Sequence, residues 1–120
     1  MSKYIKDKEN RLYEYRKELA SLNNEIKHFE VTFHHTEKRG VRIVALLNNM
    51  YLLNEDGKKE FICYHTWANM ISNVTKDVFK HINNGELKEG QQIKIRAKVK
   101  KYTNKKGQFN YGIEIKKIYW

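Results

Sequence analysis

The residues best equipped for chemistry lie in the last thirty of the 120, where Lys94, Arg96, Lys98 and Lys100 recur at every second position. Lys101, Tyr102, Lys105 and Lys106 follow directly, and Lys116 and Lys117 return further on. Between Gly90 and Lys117 there are nine Lys/Arg and a single acid, Glu114. Cations this dense on one strand repel one another, so the pattern calls for a negative partner. Each phosphate contacted by such a residue releases a counterion and adds affinity, with a salt slope of about 0.7 per contact on a single strand. Aromatic residues supply a second capacity. Tyr102, Phe109 and Tyr111 flank the basic turn, and Tyr51, Tyr64 and Trp67 stand earlier in the chain. A base stacked on such a ring gains roughly 1–3 kcal/mol whatever its identity. Phe109 and Tyr111 share parity with Ile113 and Ile115 and are equally suited to a core, which leaves Tyr64, Trp67 and Tyr102 as the rings to expect outside.

No catalytic constellation accompanies them. The chain has no phosphate-binding glycine loop, no nucleophile elbow and only three aspartates, Asp7, Asp56 and Asp77, all in expected helices or turns. Glu30, Glu60 and Glu114 are too scattered for converging carboxylates. His34, His35, His65 and Cys63 could be imagined around a metal, with Cys63 and His65 on one strand face. One cysteine does not make a structural zinc site, so no metal, no cofactor and no enzyme activity are expected.

The elements that position these residues follow from periodicity. Ile93, Ile95, Ala97 and Val99 alternate with the cations, and Phe109, Tyr111, Ile113 and Ile115 alternate after the Thr103–Gly107 turn. Both halves therefore read as strands of a hairpin with one apolar and one cationic side. Earlier, Phe29, Val31 and Phe33 alternate, Val41–Leu47 is mostly apolar and β-branched in its first half, and Asn48-Asn49 marks a kink or bulge. Asn54–Gly57 is a hairpin turn, and Glu60–Trp67 is the next strand. Ala68–Asn83 reads as a helix, with Ile71, Val74, Val78 and Ile82 on one face and Gly85 at its end.

Residues 2 to about 27 form a different pattern. Ile5, Leu12, Leu19 and Ile26 recur every seven residues, with Tyr15 and Leu22 three after the second and third. This amphipathic stripe fits either a helix laid on its own barrel or a seam for another helix. The domain organisation expected is therefore an N-terminal amphipathic helix over 1–28 and a β domain over 29–120. Strand, strand, strand, helix, strand, strand in about ninety residues resembles the order of an OB-like five-stranded barrel, with an SH3-like barrel or a simple meander with one helix as the alternatives. The fold class is mainly β with helices (α+β). Val41–Leu47 and the run before it become one long bent first strand, or an additional strand.

Charge narrows the partner. Residues 1–60 hold twelve Lys/Arg and ten Asp/Glu, whereas residues 61–120 hold twelve and four. That asymmetry favours nucleic acid. The charged N-terminus, the absence of a long apolar run and the single cysteine point to a cytoplasmic protein and away from the membrane.

The stretch Tyr64-His65-Thr66-Trp67, a helix, Leu87–Gly90 and then Ile93–Tyr102 resembles small OB-like proteins of phages and cassette elements in low-GC Gram-positive bacteria. Those carry His-x-Trp before the helix and a basic Val-x-x-Tyr in the fourth strand, present here as His65–Trp67 and Val99–Tyr102. The chain is also similar to the accessory subunits that accompany the A-family DNA polymerase of staphylococcal cassette elements. The resemblance spans roughly residues 60–118 and implies a part in replicating a mobile element.

Together these features describe a sequence-independent binder of single-stranded DNA, accessory to a replication enzyme. Its contacts would come from Lys94, Arg96, Lys98, Lys100, Lys101, Tyr102, Lys105, Lys106, Tyr64 and Trp67. A polymerase or helicase would dock on Ile5, Leu12, Tyr15, Leu19, Leu22 and Ile26. The same residues are open to other readings: an RNA-binding OB domain, a module whose basic face meets an acidic protein, or a homodimer through the N-terminal seam.

Overall fold

A computed structural model describes residues 18–103 and 109–120. Five strands build it: β1 (Ile26–Arg39), β2 (Arg42–Leu53), β3 (Lys59–Met70), β4 (Gln92–Thr103) and β5 (Phe109–Tyr119), with helix α1 (Ser72–Asn83) between β3 and β4. They close in the order β1-β2-β3-β5-β4. All neighbours are antiparallel except β3 and β5, which run parallel through Ala68, Asn69 and Met70 against Ile113, Glu114 and Ile115. The helix between β3 and β4 and this crossed order make the barrel OB-like.

The alternating stretches settle as their periodicity requires. Ile93, Ile95, Ala97 and Val99 are buried, as are Ile113 and Ile115, and Tyr111 packs against the core from its edge. Phe29, Val31 and Phe33 fill the barrel from β1, and Leu47, Met50 and Ile62 from β2 and β3. Cys63 is buried, with its thiol directed at the Met50 sulfur. His65, two residues on, is exposed, so the two do not share a face as strand parity suggested. At Tyr64-His65 two consecutive residues turn outward, opposite Asn48-Asn49 of β2, where Asn49 takes a left-handed φ of 50°. Asn tolerates that conformation better than most residues, and the ladder shifts register between Met50 and Tyr51, which leaves Ile62 and Cys63 both inward.

Three element boundaries differ from the sequence expectation. Val41–Leu47 belongs neither to a long first strand nor to an extra one. The chain reverses at Gly40 (φ 63°) and Val41, with Arg39 paired to Arg42, and β2 runs on through Asn48-Asn49 without a break. Helix α1 starts at Ser72 rather than Ala68, because the parallel ladder with β5 claims residues 68–70 and encloses Ala68 completely. Helical residues before the barrel end at Ala20, not near 27. Asn24, with φ 69°, turns the chain and donates its N–H to the Val99 carbonyl at 2.8 Å, after which β1 takes over.

That turn fixes the fate of the heptad stripe where it is described. Leu19 is wholly enclosed in the barrel's own core, and Leu22 packs on it. Leu19 is thereby removed from the surface a partner could reach. Ile26, 52 % exposed at the head of β1, faces solvent. Ile5, Leu12 and Tyr15 lie outside the described residues.

Candidate nucleic-acid interface

On the outer face of β2 and β3, cross-strand pairing sets aromatic and polar side chains in rows. Tyr51 pairs with Phe61, Asn48 with His65, and Leu46 with Trp67. The Tyr51 and Phe61 rings meet edge-on at 5.5 Å between centroids, and Phe61 passes the contact to Tyr64 at 4.8 Å. Tyr64 is 44 % exposed at the open end of this ladder. His65 Nδ1 lies 2.8 Å from the Asn48 Oδ1, which orients the ring toward β2. Trp67 is half-buried, with Thr66 and Ala68 on either side pointing fully inward.

The turn between β1 and β2 borders this face. It carries Lys38, Arg39 and Arg42 around a Gly40-Val41 tip whose Val41 side chain is almost entirely in solvent. Arg39 lays its guanidinium over Trp67, 4.1 Å from the ring centroid, and His35 meets the same ring edge-on at 6.2 Å. A guanidinium on an indole face is held by the ring quadrupole and keeps its N–H donors in its own plane, directed away from the ring. Glu37 stands nearby, engaged by Arg39 at 3.7 Å and His35 at 3.3 Å. Further along, Lys59 and the mostly buried Glu30 pair at 2.7 Å, so that lysine is occupied.

The sequence-derived contact residues divide between two sides of the barrel. Tyr64 and Trp67 stand on the β2–β3 face. Lys94, Arg96, Lys98 and Lys100 project from β4, whose neighbours are β1 and β5; no edge of β4 adjoins β2 or β3. Lys94 and Arg96 are exposed there, Arg96 directly opposite Lys117. Lys98 and Lys100 are half-buried, and Lys100 reaches Glu114 at 3.1 Å. Lys116 also binds Glu114. The Lys116 hydrogen bond, opposed by burial and assisted by Lys100, holds the Glu114 carboxyl below the usual carboxylate range. Lys101 is exposed near the end of β4. Lys105 and Lys106 lie outside the described residues.

Tyr102 has a structural occupation. Its hydroxyl accepts a hydrogen bond from Asn69 Nδ2 at 2.8 Å, and its ring lies so close to Gly112 that a Cβ there would sit 3.0 Å from Cε2. Glycine at 112 is what lets the ring settle. The half-buried ring thus ties β4 to β3 and β5.

Several residues of this face and its bordering turn escaped the sequence reading: Arg39, Arg42, His35, Phe61 and Asn48. The signal for the first two was present in Arg39-Gly40-Val41-Arg42, a glycine turn between two arginines. Among the described residues no three His, Cys, Asp or Glu gather as a metal site. No helix among them is long and apolar enough to cross a membrane.

The fold and this face define a closed OB-like barrel with an aromatic, cation-bordered surface across β2 and β3. No protein-family model matches the chain, and no curated protein does. Among solved structures it is similar to a small single-stranded DNA binding protein from Mycoplasma pneumoniae, at 18 % identity and a TM-score of 0.49, over 78 % of this chain and 92 % of that one. At that distance the barrel rests on its own strand order.

Proposed function

We propose that the chain is a non-enzymatic, sequence-independent binder of single-stranded DNA that engages the strand across β2 and β3. The observation that carries the reading is Trp67 under the Arg39 guanidinium, on one face with the Tyr51–Phe61–Tyr64 ladder. Rings stack on any base, because every base has a π-face, and the arginines of the β1–β2 turn donate to its phosphates. Duplex DNA hides base faces in its stack, so the ladder favours unpaired strands. An accessory role beside a polymerase or helicase of a mobile element is part of the proposal. It is supported by the resemblance carried by His65–Trp67 and Val99–Tyr102.

Titration of labelled oligothymidylate, oligouridylate and duplex over a range of salt tests it. The expected order is single-stranded DNA above duplex, with log affinity falling linearly with log salt at about 0.7 per phosphate engaged. Absence of single-strand binding at low salt overturns the reading, and equal or tighter binding of oligouridylate moves it to RNA.

A further inference from the structure

Beyond the β2–β3 face, the barrel carries a groove of about 470 Å³ that starts at the β1–β2 turn and runs over the beginning of α1. Arg42, Lys76, Lys100, Asn69 and Tyr102 line it. A second cleft, about 490 Å³, continues between α1 and β5 and is lined by Lys76, Lys80, Lys116 and Lys117. Lys76 belongs to both, so the two depressions share a wall. Arg42, which opens the first, is the strand partner of Arg39 on Trp67.

The acids along this route are already engaged. Glu114 is held by Lys100 and Lys116. Asp77 accepts the Trp120 indole N–H at 2.5 Å and faces His81, on whose ring Trp120 stacks at 3.5 Å. Arg42, Lys76, Lys80 and Lys117 make no ion pair among the described residues, and all four are exposed. Lys76 and Lys80 sit one turn apart on α1, a like-charge spacing that weakens a helix, and Lys117 faces Arg96 across the sheet, a pairing that weakens a ladder. A polyanion laid in the groove and cleft relieves both.

We infer that a single strand bound on the β2–β3 face continues past Arg42 through the groove and into the α1–β5 cleft, where Lys76, Lys80 and Lys117 hold its phosphates. This rests on the proposed single-strand reading and adds a second segment to it. The groove offers few rings, so contact there is with the backbone. The front face contributes stacking and this path contributes charge. The occupied length is then greater than the front face alone would cover.

The test compares oligothymidylates of about 5 and about 16 nucleotides, the span of site sizes known for OB folds, on the full chain and on K76E/K80E/K117E. All three lysines lie at the surface, and thermal melts establish that the variant is folded; K76Q/K80Q/K117Q, which removes charge without reversing it, is the second variant. Expected is unchanged affinity for the short strand. For the long strand, affinity should fall tenfold or more, with a salt slope lower by about 2, for three lost phosphates. Equal losses on both lengths, or no loss on the long one, overturn the path while leaving front-face binding intact. Loss of duplex or acidic-protein binding with the long strand unaffected also overturns it. Failure of the unaltered chain to bind either oligonucleotide removes the underlying function itself.

Discussion

Arg39 and Trp67 stand 4.1 Å apart, guanidinium carbon to ring centroid, although they come from β1 and β3, which are not neighbours in the barrel. Leu46 of β2 lies between them in the sheet, paired to His35 on one side and Trp67 on the other. Arg39 must therefore reach across a strand to cover the indole. That makes the stack a property of the assembled face and not of either strand.

Removing the ring should be costly and removing the plane less so. Trp67→Ala is expected to weaken oligothymidylate binding by about 1–3 kcal/mol, roughly 5- to 150-fold. Arg39→Lys keeps the charge but loses the planar stack, so affinity should fall with little change of salt slope. Titrations of both variants at three salt concentrations separate the two effects.

Gly112 faces the Tyr102 ring and the Trp67 carbonyl, each 3.0 Å from where a Cβ would stand. The carbonyl is backbone within β3 and has little freedom to move. Gly112→Ala is expected to destabilise the barrel by about 1–3 kcal/mol in denaturant melts. Tyr102→Phe leaves the ring in place and deletes the hydroxyl bonded to Asn69, for a cost of about 0.5–1.5 kcal/mol. If Tyr102 served chiefly to stack a base, its loss would appear in binding and not in stability.

Leu19 and Ile26 share the heptad stripe but have opposite environments, one enclosed and the other 52 % exposed. Leu19→Ala should cost about 2–5 kcal/mol of stability through lost packing and a residual cavity. Ile26→Ala should stay within about 0.5 kcal/mol. Parallel urea melts show the contrast, and similar small losses for both would remove Leu19 from the core.

Glu114 ties stability to pH. Its folded carboxyl titrates below the ordinary value of 4.5. Its contribution is then complete above that value and fades as pH falls through the lower folded one. Glu114→Gln should cost about 1 kcal/mol or less at neutral pH. The gap to the unaltered chain should close in acid, as melts from pH 7 down to pH 3 would show.

Alternation was enough to place the β4–β5 hairpin and its buried Ile93–Val99 parity, and the Ile71, Val74, Val78 and Ile82 stripe placed the helix between the third and fourth strands. A two-residue period with charge on one side has only one economical arrangement against a core. The Asn54–Gly57 turn was equally legible, because its residues are those that tight reversals need. The end of β3 was not. Ala68 and Met70 fit a helix start by composition, and only the parallel pairing with Ile113–Ile115 decides that they extend the strand.

The site shows the same division more sharply. Residue types and spacing determined that this chain carries dense cations and aromatic rings on its strands. Which of them share a surface was a matter of barrel closure. Because β5 and β1 stand between β4 and the β2–β3 pair, Lys94–Lys100 and Trp67 face different ways. Arg39 closes β1 and Trp67 lies in β3, so the guanidinium arrives over the indole only when the sheet curls. Local periodicity fixes the side of a strand on which a residue lies, whereas the neighbour it meets across the fold depends on long-range pairing that no local pattern encodes.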